Sequence, residues 1–252
     1  MAAEVNLAAV QAAFAAGELF LAYQPIVVLR DGSCAGAEAL IRWRRNGSVL
    51  DAAEFMPLTD RTPLSGVLTY WVIDTIASEL GSWLSEHPSL HIGINIPPEI
   101  LGRGGIEYAA MKSGLREHAK QLIFEITERG IPDELGLEAL NRITETGARA
   151  ALDDVTLSGA NLALLTRCRF DLIKVDQTLV AQLGAELPAP SWLDGLSTLL
   201  RSTPLQVIAE GVENAYQADV LRAAGVQLAQ GHWFAEALPV DRFKRYCAQS
   251  PP

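Results

Sequence analysis

The sequence predicts an α/β protein, a TIM-like (β/α) barrel variant in which the first two strands run antiparallel. Short apolar runs alternate with longer helix-like stretches through almost the whole chain. Eight such runs within 252 residues suit a closed barrel better than an open doubly wound sheet. Only residues 30–35, with the turn signal Asp31-Gly32, separate the first two runs. A connection that short cannot make a parallel crossover.

Element by element, the strand candidates are residues 20–29, 36–43, 91–96, 122–127, 148–153, 170–175, 205–209 and 226–229. The later ones are apolar on both faces, as expected of parallel strands covered by helices. Residues 67–84 read as a helix, because Leu68, Val72, Ile76, Leu80 and Leu84 recur at i, i+4. Residues 1–16 are Ala-rich but lack a basic start followed by an apolar core, so they read as a first helix and not as a signal peptide. The Pro-containing stretch 187–190 reads as a loop inside the sixth crossover. No linker or internal repeat breaks the pattern, and residues 1–252 are expected to form one domain with a core over about 14–243.

Composition narrows the function. The formal net charge is −10, a field that repels polymeric nucleic acid but not a small anion accompanied by divalent cations. No apolar run reaches the length of a membrane span. Three widely spaced cysteines, Cys34, Cys168 and Cys247, argue against a disulfide framework and fit a reducing, cytoplasmic setting.

Polar side chains recur at the C-terminal ends of these apolar strands: Glu38, Asn95, Glu125, Asp153 with Asp154, Lys174, Glu210 and Gln230. In a β/α barrel that end carries the active site, because all the βα-loops converge there. Period-2 alternation puts Glu38, Leu40 and Arg42 on one face, Lys174 and Asp176 on another, and Glu125 with Thr127. Bare carboxylates crowded in one mouth repel each other by roughly 4 kcal/mol per pair at about 4 Å and an effective dielectric near 20. Divalent cations relieve this, and an oxygen-rich set with an Asn carbonyl suits Mg²⁺ or Mn²⁺. The histidines and cysteines show no zinc-ligand spacing. The adjacent acids Asp153 and Asp154 suggest a bridge between two ions, an arrangement suited to phosphodiester cleavage, with Lys174 orienting a water and Glu210 taking its proton. Taken singly, each residue has a plainer explanation: Asp153-Asp154 a helix cap, Lys174 with Asp176 an ion pair, Asn95 a turn before Pro97-Pro98. Their coincidence at one end of many strands outweighs these.

The same residues resemble the EAL-domain cyclic di-GMP phosphodiesterases over roughly residues 14–243. Glu38-Ala39-Leu40 is the tripeptide that names that family. Tyr23-Gln24-Pro25-Ile26-Val27, Phe55-Met56-Pro57-Leu58, Asn95, Glu125-Ile126-Thr127-Glu128, Asp153-Asp154, Lys174-Val175-Asp176, Ala209-Glu210-Gly211-Val212-Glu213 and Gln230-Gly231 keep family order. The resemblance implies hydrolysis of cyclic di-GMP to linear pGpG with two Mg²⁺ or Mn²⁺ ions, in a homodimer. It implies that Glu38, Asn95, Glu125 and Asp153 hold one ion, and that Asp153 and Asp154 are shared with or face the second, to which Glu210 is ligand or base. Lys174 and Glu210 would be catalytic, as would Glu128, which braces the loop after Thr127. Gln24, Leu40 and Arg42 would contact the dinucleotide, Arg42 on phosphate. Asp176 and Glu213 would join them, Glu213 near the base, and Gln230 would order the site.

One loop departs from the family. Where Asp-Asp-Phe-Gly-Thr-Gly-Tyr-Ser-Ser-Leu is usual, this chain has Asp153-Asp154-Val155-Thr156-Leu157-Ser158-Gly159-Ala160-Asn161-Leu162. Both family glycines are replaced, which changes the backbone if they sat at positive φ. Thr59-Asp60 also stands where Ala-Glu is common. The expected function is an active hydrolase, with a non-cleaving cyclic di-GMP receptor as the alternative and an unrelated metal-dependent barrel hydrolase behind both.

Overall fold

A computed structural model describes residues 5–127, 132–156, 165, 167–184 and 189–250. Helix α1 (Leu7–Ala15) is capped by Asn6, whose side chain accepts from the Ala9 amide at 3.0 Å. Strand β1 (Leu19–Val28) follows and turns back as β2 (Cys34–Arg45), the two pairing antiparallel from Leu19 opposite Trp43 to Val27 opposite Cys34. The antiparallel start is therefore as the short connection requires.

Next comes a strand that the sequence reading did not include, β3 (Ser48–Asp51), folded back on the end of β2. Its turn is Asn46-Gly47, with φ of 50° and 81°. Asn-Gly is the two-residue pair that a tight hairpin demands, and that signal was in the sequence. Helix α2 (Ala52–Phe55) leads to the long α3 (Pro63–Glu86). The expected stripe of Leu68, Val72, Ile76, Leu80 and Leu84 is buried, and the helix starts earlier than its apolar pattern. Thr62 caps it and Pro63 opens its first turn, where a missing N–H costs nothing.

The remaining elements alternate: β4 (His91–Asn95), α4 (Gly105–Ser113), β5 (Leu122–Thr127), α5 (Glu134–Arg142), β6 (Arg149–Val155), β7 (Leu172–Val175), α6 (Gln177–Val180), α7 (Ser191–Ser202), β8 (Gln206–Ala209), α8 (Ala215–Ala223), β9 (Leu228–Ala229) and α9 (Val240–Gln249). The barrel closes in the order β1-β9-β8-β7-β6-β5-β4-β2, with β1–β2 pairing completing the ring and β3 lying outside it. Strand β1 runs against both neighbours, and every other barrel pair is parallel. Among the described residues no helix is long and apolar enough to cross a membrane.

Two layers fill the barrel interior, and strand alternation explains both. Ile26, Ile123, Ala151, Leu172 and Ile208, with Leu228 against them, form a separate apolar cluster. Two residues further toward the mouth, the same strands carry Gln24, Glu125, Asp153, Lys174, Glu210 and Gln230. An apolar floor therefore supports a polar layer. The larger apolar cluster packs the outer face of the sheet against the helices. At the mouth, Glu18 ties the exit of α1 to the end of β2: its carboxylate accepts from Trp43 Nε1 at 2.8 Å and its carbonyl from the Arg44 amide at 2.9 Å.

Candidate active site

Lys174 stands at the centre of the polar layer. It is 1% exposed, and its Nζ lies 2.8 Å from Glu125, 2.8 Å from Glu210, 3.1 Å from Glu38 and 3.2 Å from Asp153. Four strands thus deliver four carboxylates to one ammonium. Amides complete the arrangement. Glu38 accepts from Asn95 Nδ2 at 2.7 Å and from Gln230 Nε2 at 2.8 Å, and Gln230 also reaches Glu210 at 3.1 Å.

The backbone of β6 is what allows two adjacent acids to serve one mouth. Regular alternation sends neighbouring side chains to opposite faces. Here Leu152 pairs with Ile173 and Val155 with Val175, so Asp153 and Asp154 together oppose Lys174 alone. This is a bulge, and Asp154 takes it up at φ 55°, a left-handed conformation that Asp tolerates better than most residues. Its N–H turns back to Asp153 Oδ1 at 2.9 Å. As a result, oxygens of Asp153, Asp154 and Glu210 lie within 4.8 Å of one another, and so do those of Glu38, Glu125 and Asp153. Asp153 belongs to both groups.

Electrostatics follow from one cation among too many anions. Burial and the nearby Glu38 push the Glu125 carboxyl well above its usual range. Burial likewise raises Asp153, against the pull of Lys174, and raises Glu210 to about 8. Glu38 moves the other way. Burial opposes its charge, but Lys174 and the amides of Gln230 and Asn95 outweigh that and hold it below the ordinary value. Lys174 itself is buried, yet its carboxylate neighbours keep it charged well beyond the usual lysine range.

These residues fit a hard divalent cation. Glu125 Oε1 and Gln230 Oε1 are buried with no hydrogen-bond partner, so acceptor capacity is left over in the middle of the site. The donors in both groups are carboxylate oxygens, without Cys or His. Gly93 makes the room: a Cβ there would overlap Glu125 Oε1. Gly93 was not foreseen as part of the site, although glycine in the interior of a strand is the signal for such a close approach.

The other expected residues fall around this centre. Gln24 is half-buried directly across the β1–β2 ladder from Glu38, and Leu40 is half-buried one inward position further along β2. Arg42 is half-buried, and its Nε pairs with Asp51 of β3 at 2.9 Å. Asn95 is exposed at the rim while its amide holds Glu38. Asp176 was expected to share a face with Lys174, but β7 ends at Val175 and the Asp176 carboxylate caps α6, accepting from the Thr178 amide at 2.8 Å. Glu213 is exposed in the segment after β8. Glu128 and residues 157–161 of the altered loop lie outside the described residues.

Comparison with known proteins adds an independent line. The EAL domain model matches residues 7–237. A probable cyclic di-GMP phosphodiesterase of Escherichia coli, PdeB, is 34% identical over 231 residues, which cover 90% of this chain and 44% of that protein. A second from the same organism, PdeG, is 31% identical, covering 86% of this chain and 44% of that protein. The chain thus spans less than half the length of these curated relatives. Among solved structures, the PaMucR phosphodiesterase in complex with c-di-GMP matches with a TM-score of 0.83 at 25% identity, over 94% of this chain and 98% of that one. The EAL enzyme Bd1971, in its cAMP- and cyclic di-GMP-bound form, matches with a TM-score of 0.81 at 26% identity, over 95% and 67%. Motif order, barrel topology and the carboxylate-lined mouth agree with these matches, and the chain belongs to the EAL-domain family.

Proposed function

We propose that this chain is a hydrolase that opens one phosphodiester of cyclic di-GMP to give linear pGpG, and that it works in the cytoplasm. The observation that carries the reading is the pair of carboxylate groups sharing Asp153 around Lys174, at the open ends of the barrel strands. The names of its relatives support the substrate. Glu38, Asn95, Glu125, Asp153, Asp154 and Glu210 are the residues to hold two Mg²⁺ or Mn²⁺ ions. The bound ions would supply Lewis acidity, acidifying a water and neutralising phosphate charge. Lys174 orients the attacking water through its ammonium. Glu210 would help hold the second ion or take the water's proton; with no ion bound, burial raises its carboxyl to about 8. Gln230 fixes Glu38 relative to Glu210 by bonding both. Arg42, Gln24 and Leu40 line the approach along β1 and β2, with Arg42 turned from Asp51 toward phosphate when the dinucleotide binds.

The deciding experiment incubates purified protein with cyclic di-GMP and Mg²⁺, Mn²⁺ or Ca²⁺ and separates the products by chromatography. Formation of pGpG is expected with the first two ions and not with Ca²⁺, whose longer, looser bonds misplace the water. Tight binding of the dinucleotide with no pGpG in either Mg²⁺ or Mn²⁺ would identify a receptor that does not cleave.

A further inference from the structure

Two of the three cysteines, 213 residues apart in sequence, meet in the fold: Cys34 Sγ and Cys247 Sγ are 2.8 Å apart. Cys34 opens β2 opposite Val27, and Cys247 lies on α9. That helix is well anchored. Phe243 stacks on Tyr23 at 5.6 Å and meets Trp83 edge-on at 5.6 Å, and Lys244 Nζ donates to the Glu79 carbonyl at 2.8 Å. The two sulfurs are thus held face to face by packing on either side. A disulfide bond is about 2.05 Å long, so closing one needs an approach of less than about 1 Å. Both residues are half-buried, which leaves the pair within reach of a small reagent.

We propose that Cys34 and Cys247 form a thiol–disulfide modification site that closes by exchange with a low-molecular-weight disulfide such as glutathione disulfide. The Cys34 thiolate attacks one sulfur of that disulfide, forming a mixed disulfide and releasing one glutathione. Cys247 gives up its proton to solvent and attacks the Cys34 sulfur, forming the internal bond and releasing the second glutathione. Two protein thiols are oxidised while one small disulfide is reduced to two thiols. The hydrogen bond shared with Cys247 favours Cys34 as the attacking group, holding its thiol below the ordinary range against the effect of burial. Cys168 is buried apart from the pair, and burial raises its pKa, so it serves as the internal control. Closure would staple α9 to the start of β2 across most of the chain.

The full chain is incubated with excess glutathione disulfide, and intact mass, a non-reducing peptide map and thermal melting are recorded. The expected product is a monomer lighter by two hydrogen atoms, with the peptides of Cys34 and Cys247 joined. Its Tm should be higher by on the order of 5 °C and return to the starting value with dithiothreitol. Cys247→Ser should instead keep one glutathionyl group on Cys34, and Cys34→Ser should stay largely unmodified. Native protein that stays reduced, that carries stable glutathionyl groups on both cysteines, or that cross-links between chains would overturn the proposal.

Discussion

Replacing Lys174 with methionine tests the electrostatic account of the site most directly. The side chain keeps its apolar stem and loses the ammonium that four carboxylates surround at 2.8–3.2 Å. Removing one partner of a buried ionic cluster costs about 3–5 kcal/mol. Glu125, Asp153 and Glu210 already hold raised pKa values and can take up protons in response, so the loss should lie near the lower end of that range. For a chain of this length that corresponds to a drop in Tm on the order of 10 °C. Differential scanning fluorimetry in chelator should show the drop. Excess Mg²⁺ or Mn²⁺ should raise the variant's Tm more than the native protein's, because the ion replaces a missing positive charge. An unchanged Tm in chelator, or equal gains for both proteins on adding the ion, would refute the view that Lys174 balances a cation-binding carboxylate cluster.

Other perturbations test separate parts of the same geometry. Glu38→Ala should lower pGpG formation by at least about 100-fold while the far-UV circular dichroism spectrum stays native, since misplacing one ligand by about 1 Å suffices for such a loss. Gly93→Ala places a methyl group against Glu125 Oε1, and should weaken Mg²⁺ binding in calorimetry and destabilise the chain by about 1–3 kcal/mol. Asp154→Gly and Asp154→Ala both remove the carboxylate, but only glycine relieves the left-handed backbone. The glycine variant should be the more stable by roughly 1 kcal/mol in urea denaturation. In the chelated native protein, Glu210 at about 8 against an ordinary 4.5 keeps a proton that the unfolded chain has lost. The stability this gives is complete below about pH 4.5 and is lost as pH rises through about 8, so Tm should fall over that window. Mg²⁺ affinity should rise over it, because binding displaces the proton.

Much of this was legible in the sequence because barrel strands obey simple rules. Period-2 alternation correctly placed Glu38, Glu125 and Lys174 on inward faces, and the short turn at residues 30–35 forced β1 against β2. Where the rule ended, so did the foresight. Alternation would carry Asp176 onto the face of Lys174, but the pleat stops at Val175 and the next carboxylate serves a helix cap. Asp153 and Asp154 were expected to act together, yet alternation alone would have separated them. A bulge at a non-glycine residue with positive φ leaves no mark in the sequence. The contact of Cys34 with Cys247 arises from the docking of the last helix on the first strands, which local patterns cannot report. The hairpin at Asn46-Gly47 is a different case: its signal was present and was passed over.

The reversed course of β1 also sets the mechanics of the molecule. A strand that runs against the others enters the barrel at the mouth and leaves it at the floor. Helix α1 therefore ends beside the barrel mouth, bolted by Glu18 to Trp43 and Arg44, the two residues that follow Arg42. In an all-parallel barrel the leading strand would start at the closed end, and a pull on the amino terminus would load the floor. Here the same pull is geared to the rim, at the strand end where Arg42 pairs with Asp51.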